Sequence, residues 1–435
     1  MKKLLIIILL LAVVSPVLAA DNQRLIVRNN NGLPAMQLVC QLLGCGVVRQ
    51  LDGTLGKLFL IRPPRLLSLQ QFIVILGNVT GIVHVELDIS VLLEQPAGVG
   101  QIPAGLSDRN PVEYFGSVVW NGYSNQPAAQ VVRLAEARSH FGATGAGTVA
   151  IIDTGISTRH PALAAVVVPG YDFTRDVAGT PEEEGDVQQS TAAVLDDAEP
   201  AIVSQSTAAV LDDETLGILS APDYAAFGHG TMVSGVVHMM APTAHIMPLK
   251  AFRADGTGSL SDILRAIYFA ADKHADVINM SFSFTYPSEE LQRALQNVRV
   301  RGAIAVAAAG NYGTANPVYP AAYDSVMGVA STDNWDRRSS FSSYGPAIWV
   351  AAPGEAIIST YPFGSYSASW GTSFSAPMVA GAVALLLDGG TSPSSDQASE
   401  AIGQAHWISS ELGHGRLDVY RALEAWRLNM SRYPY

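Results

Sequence analysis

The chain has 435 residues, 49% of them hydrophobic and 15% charged, with a formal net charge of −12. That composition supports a large core spread over two or three domains and excludes global disorder. The acidic balance argues against nucleic acid as a partner, and two cysteines cannot make a disulfide scaffold.

Residues 1–20 read as a signal peptide. Lys2 and Lys3 form a charged start, residues 4–14 are apolar, and Val17-Leu18-Ala19 fits a small-residue cleavage pattern. An uncleaved anchor helix is the competing reading, but the apolar run is short for a span. No later segment reaches the roughly 20 apolar residues of a membrane helix, so the expected destination is secreted, extracellular or periplasmic.

Residues 21–95 read as a small α+β domain. A strand at 24–28 precedes a helix at 33–43, then a hairpin at 47–51 and 57–61, a helix at 68–76 capped by Ser68, and a strand at 82–87. That β-α-β-β-α-β order is the ferredoxin-like pattern. Cys40 and Cys45 stand five apart and point to different faces of a continuous helix. Two buried small side chains are therefore favoured over a bond, which requires the helix to end between them.

Residues 96–127, rich in Gly, Pro, Asn and Ser, read as a linker. From 128 to 435 strands and helices alternate. Residues 148–152 form a β-branched run ending at Asp153-Thr154-Gly155, a strand buried on both faces. Further buried strands are expected at 246–249, 277–281, 304–309, 326–330 and 348–351, with helices at 131–141, 232–240, 260–273 and 289–301. The implied fold class is α/β, a doubly wound parallel sheet.

Residues 172–228 stand apart, with thirteen Asp and Glu against Arg175 alone. Within them Gln189 to Asp197 recurs as Gln205 to Asp213. Two copies are too few for a solenoid. A solvated acidic flap is favoured over a calcium site.

Four short stretches carry chemistry. Asp153 stands at a strand end, where α/β folds place their sites, although an Asp before a turn Gly reads equally as a turn former. His229 lies between two glycines in Gly228-His229-Gly230-Thr231 at the start of an apolar run. A lone histidine there is more often structural. Asn311 follows Gly310 and reads either as a side-chain donor or as a left-handed turn residue. Ser373, in Gly371-Thr372-Ser373, opens a helix apolar all round, and alone it reads as an N-cap. Together the four make a reaction. Serine needs a base, imidazole supplies one, a buried carboxylate fixes the imidazole tautomer, and an oxyanion needs donors such as the Asn311 amide and the Ser373 N–H.

The segments Ile151-Ile152-Asp153-Thr154-Gly155-Ile156, Gly228-His229-Gly230-Thr231, Ala307-Ala308-Ala309-Gly310-Asn311 and Gly371-Thr372-Ser373 resemble the four signature segments of the subtilisin-like serine proteases, or subtilases. The likeness covers roughly residues 128–426, in the Asp, His, Ser order of that family. It implies a secreted endopeptidase that acts on polypeptides through Asp153, His229 and Ser373, with Asn311 and Ser373 as the oxyanion hole. Ser281, Phe282, Ser283, Ala308, Ala309 and Gly310 become the implied substrate-binding walls, with an apolar preference before the scissile bond. Residues 21–95 become a propeptide that assists folding and then inhibits, released by cleavage in the 96–127 linker, and a monomer is expected. No cofactor is required and no metal ligands are assigned. Ala162 stands where calcium-binding relatives carry an Asp, and their loop after the His helix is missing. Phe374 replaces the usual Met after the serine. The alternatives are an idle subtilase-fold binding protein and an esterase using the same three groups.

Overall fold

Apolar alternation shapes the N-terminal unit, residues 23–89. Strands Leu25–Asn29, Gly46–Gln50, Leu58–Arg62 and Ile82–Leu87 make an antiparallel sheet ordered second, third, first, fourth. Helices Gly32–Leu43 and Leu69–Gly77 pack Met36, Cys40, Phe72 and Leu76 onto Leu25, Val27, Phe59 and Ile61. Ser68 caps the second helix through a reciprocal bond with Gln71. The ferredoxin-like order is the one expected. The cysteines are not: Cys40 and Cys45 form a disulfide. The first helix stops at Leu43, and left-handed Gly44 turns the chain back until the two Cα atoms are 4.4 Å apart. Only an unbroken helix would have held the thiols on separate faces.

The computed structural model describes residues 23–93, 100–187, 201–204, 207–209, 219, 221–390 and 392–432. The signal-peptide reading, the 94–99 junction and most of the repeated acidic segment lie outside the described residues. The chain divides into two units at residues 89 and 90.

The larger unit is built on an eight-stranded sheet. Its order is Val177–Gly179, Gly170–Asp172, His245–Lys250, Thr148–Asp153, Val277–Met280, Ile304–Ala308, Val326–Thr332 and Val350–Pro353. Every pairing is parallel except the first. The central strands are buried on both faces, which is why they read as continuous apolar runs. Helices His229–Met240 and Thr372–Leu386 pack together and share a core with Val149, Ile151, Val306 and Val329.

Two expectations need correction, and one element was not anticipated. The 96–127 stretch is no bare linker. From residue 100 onward it carries a hairpin, Pro111–Tyr114 with Ser117–Trp120, and its Tyr114 and Tyr123 hydroxyls donate to the carbonyls of Met239 and Gly235 at 2.6 and 2.8 Å. Loop-like composition masked a few aromatic anchors. A hairpin of strands Ile357–Tyr361 and Ser365–Ser369 was not foreseen, because serine and threonine fill buried positions there. Finally, residues 182–186 are not a solvated flap, as the site itself makes plain.

Candidate active site

Asp153 ends its strand between two parallel neighbours and is fully buried. Its Oδ1 accepts the Thr154 N–H at 2.8 Å and lies 2.7 Å from His229 Nδ1. His229 is the first residue of its helix. Left-handed Gly228 (φ 85°) turns the chain in, and a Cβ there would meet the Tyr361 ring at 2.4 Å. A Cβ at Gly230 would meet the Gly155 carbonyl oxygen at 2.2 Å. The paired glycines thus let the imidazole descend onto Asp153. Burial opposes a charged ring, but the Asp153 carboxylate, its hydrogen bond and nearby Glu183 outweigh that, holding His229 above its ordinary value. An Nδ1–H on the carboxylate leaves Nε2 as the basic nitrogen.

Ser373 is the second residue of its helix, and the N-cap is Gly371, so the capping reading of Ser373 fails. Its Oγ donates to the Ser281 carbonyl at 3.1 Å rather than to the imidazole. The next ring, Phe374, lies 5.5 Å from that of His229. Pro377 sits deeper in the helix than a first-turn proline. It has no N–H to offer the Ser373 carbonyl four residues back. Ser281 Oγ supplies that donor at 2.8 Å. The two serines therefore clasp each other reciprocally, and Asn279 Nδ2 in turn holds Ser281 Oγ at 2.9 Å. Sequence reading placed Ser281 on a substrate wall and missed this clasp, although the i−4 arithmetic of Pro377 pointed to an orphaned carbonyl.

The left-handed turn beside Asn311 belongs to Gly310 (φ 89°), not to Asn311. The Asn311 Oδ1 accepts both the N–H and the Oγ1–H of Thr372, each at 3.0 Å. That fixes how the amide is turned, with Nδ2 3.5 Å from where a Gly371 Cβ would stand. Ser281, Phe282 and Ser283 follow the strand Val277–Met280, and Ala308 closes its parallel neighbour with Ala309 and Gly310 just after it. The structure brings these ends together, with Ser283 Oγ and the Tyr312 ring flanking Gly310. Their side chains are almost wholly buried, and the Phe282 ring packs on Phe252 at 5.1 Å, so backbone is what they offer.

The acidic run Glu182-Glu183-Glu184-Gly185-Asp186 closes over the Asp153 strand from behind. Glu182 binds Thr158, and Glu184 accepts from Ser157, Arg159 and the Phe363 N–H. Asp186 pairs with the fully buried Lys250 at 2.8 Å and with Arg175. Glu183 binds Thr154 and Thr231. Each carboxylate has its own donor, with Glu183 fully buried and Glu182, Glu184 and Asp186 half-buried. Among the described residues no group of three or more His, Cys, Asp or Glu side chains could hold a metal ion, and no helix is long and apolar enough to cross a membrane.

Residues 145–414, more than half the chain, match the model of the subtilase family. The chain belongs to that family. This subtilase is 34% identical over 285 residues to thermitase of Thermoactinomyces vulgaris, covering 65% of this chain and 90% of thermitase. It is 34% identical over 257 residues to subtilisin BL of Lederbergia lenta, covering 58% and 80%. Its fold resembles that of fervidolysin from Fervidobacterium pennivorans, with a TM-score of 0.68 at 20% identity over 95% of this chain and 62% of that one. The subtilase is accordingly a serine endopeptidase with polypeptide substrates.

Proposed function

We propose that Asp153, His229 and Ser373 carry out the hydrolysis and that the chain is a secreted protease made as a self-inhibited precursor. The supporting observation is the 2.7 Å contact between Asp153 and His229, with Ser373 held at a helix start one residue from the ring that faces the imidazole. The reaction requires Ser373 Oγ to leave the Ser281 carbonyl and donate to His229 Nε2. Catalytic hydrogen bonds commonly tighten only when substrate binds. The Oγ then attacks the peptide carbonyl carbon as Nε2 takes its proton. Asp153 stays ionised and steadies the imidazolium through Nδ1–H. The carbonyl oxygen becomes an oxyanion, received by Asn311 Nδ2 and the Ser373 N–H. This amide is turned the right way because Thr372 occupies its oxygen. The tetrahedral carbon collapses, the C–N bond breaks, and the imidazolium returns its proton to the leaving amine. Water, deprotonated by His229, releases the acyl group from Ser373 by the same steps in reverse.

The precursor reading has support inside the larger unit. Strand Ser90–Leu92 pairs antiparallel with Thr257–Ser259, and Leu93 N–H continues the ladder to the Gly256 carbonyl at 2.9 Å. Val91 and Leu93 are buried while Leu92 is exposed. That alternation is how an added peptide strand docks on a sheet edge. The signal-like residues 1–20 support export.

Ser373→Ala tests the reading. The variant is expected to fold, to refuse covalent labelling by a fluorophosphonate, to hydrolyse no casein and to remain full length. An active Ser373→Ala protein refutes the assignment. A wild-type chain that binds peptides but never labels supports the idle binding protein instead.

A further inference from the structure

Glu183 lies outside every motif the family resemblance supplied, yet it is fully buried next to the reacting groups. Its Oε1 accepts from Thr154 Oγ1, the residue after Asp153. Its Oε2 accepts from Thr231 Oγ1 and, at 3.2 Å, from the Thr231 N–H, two residues after His229. We propose that Glu183 is a positioning residue for catalysis, a single carboxylate that pins the strand end carrying Asp153 to the helix start carrying His229. The proposal rests on the assignment of Asp153, His229 and Ser373 as the reacting groups.

The donor inventory settles which way these bonds run. Thr154 Oγ1 accepts the Gly230 N–H at 2.9 Å, and its own hydrogen has two carboxylates in reach, Glu183 Oε1 and, at 3.3 Å, Asp153 Oδ1. Thr231 Oγ1 already accepts the Ser157 N–H at 2.8 Å, so its hydrogen also points at Glu183. Both hydroxyls link a backbone N–H to the Glu183 carboxyl group, and the Thr231 N–H donates to it directly. The backbone of the same segment is tied down as well. Ile156 N–H donates to the Pro181 carbonyl at 3.0 Å, and Glu183 N–H to the Ile156 carbonyl at 3.1 Å. Every contact therefore joins the Asp153 loop, the His229 helix and the Glu183 turn to one another.

A charge in this place also acts on the base. The charged and titratable groups around His229 and Glu183 are Asp153 at its strand end, Lys250 and Asp186 behind it, and Tyr361 on the serine-rich hairpin. Burial, joined by the Asp153 carboxylate, holds the Glu183 carboxyl above its ordinary value against the pull of the two threonines and Lys250. When ionised, Glu183 favours the imidazolium. Removing that charge moves the imidazole pKa down, and with it the pH below which the protonated base is idle.

The test compares wild type with Glu183→Gln and Glu183→Asp as complete chains, each counted by fluorophosphonate titration so that rates refer to folded, labelled sites. Glu183→Gln is expected to lower kcat by about tenfold with KM within about twofold, because misplacement of a catalytic pair acts on the chemical step. The acid limb of its kcat/KM profile is expected to move to lower pH, and Glu183→Asp is expected to restore that limb in part. A Glu183→Gln enzyme with wild-type kcat and an unmoved acid limb overturns the proposal, as does one whose whole loss disappears on correcting for labelled sites. Should Glu183→Gln fail to fold, Thr231→Val and Thr231→Ser replace it: loss of kcat in the first and retention in the second support the clamp, and equal activity overturns it. Wild-type protein that neither labels nor hydrolyses defeats the underlying site assignment, and the proposal falls with it. Labelled, active wild type beside unaltered variants defeats the proposal alone.

Discussion

Gly230→Ala is the sharpest probe of how the base meets its carboxylate. A methyl at residue 230 would stand 2.2 Å from the Gly155 carbonyl oxygen and 3.2 Å from the Asp153 Cβ. Carbon atoms in proteins essentially never come within 3.0 Å in this way, so something has to retreat by about 0.8 Å. The obstacle is backbone on one side and the Asp153 side chain on the other, so the movement falls on the Asp153–His229 pair. A misplacement of about 1 Å costs on the order of a hundredfold in rate. The expected result is a drop of that size in kcat per labelled site, with KM nearly unchanged. Gly185→Ala, where nothing lies within 4 Å of the added carbon, serves as the control and should keep full activity. A Gly230→Ala enzyme within threefold of wild type would show that the close approach of these two segments is not what aligns the imidazole.

Two further measurements reach other parts of the site. Asn311→Leu removes one of the two donors assigned to the oxyanion and should cost about 2.7–4 kcal/mol in barrier, a range taken from the equivalent kind of donor in subtilisin, with little change in KM; a loss below tenfold would count against that role. His160 is buried, its Nε2 bonded to the Ser365 carbonyl at 2.8 Å while Nδ1 accepts the Ala162 N–H at 3.2 Å, which describes a neutral ring. Burial pushes its pKa down to about 4. The folded chain refuses a proton that the unfolded chain accepts near 6.5. The His160 contribution is therefore full above pH 6.5 and falls by up to about 3 kcal/mol as pH drops from there toward 4, and buried His238, pushed down to about 3, adds a loss of the same sign that continues lower. Thermal melts of Ser373→Ala against pH should show this slope, and adding His160→Gln should make it shallower while leaving the part that belongs to His238.

Much of the fold was legible because its signals were local. The strand ending at Asp153 announces itself by an unbroken apolar run, and the flanking glycines of His229 announce a close approach. Other features were hidden for reasons that can be named. The acidic residues at 182–186 read as solvated because charge runs usually are. Their partners, Thr154, Ser157, Thr158 and Thr231, lie 24 to 48 residues away in sequence. A cluster of hydroxyls around two catalytic motifs was the available clue. The serine-rich hairpin Ser365–Ser369 escaped because buried hydroxyls mimic a surface strand. Tyr114 and Tyr123 escaped because a loop composition conceals two well-placed rings. The cysteine bond turned on where one helix stops, the least certain feature of any pattern reading.

Pro377 decides which partner the carbonyl of Ser373 has. A helix normally binds each carbonyl to its own next turn, so that the first residues ride with the cylinder. Here a ring nitrogen withholds that link, and the main chain of the proposed nucleophile is moored to the Ser281 hydroxyl just past the end of its strand. Slight rolling or sliding of the long buried helix therefore leaves the alcohol registered to the same frame that carries Asp153, and the two ends of the reaction share one foundation.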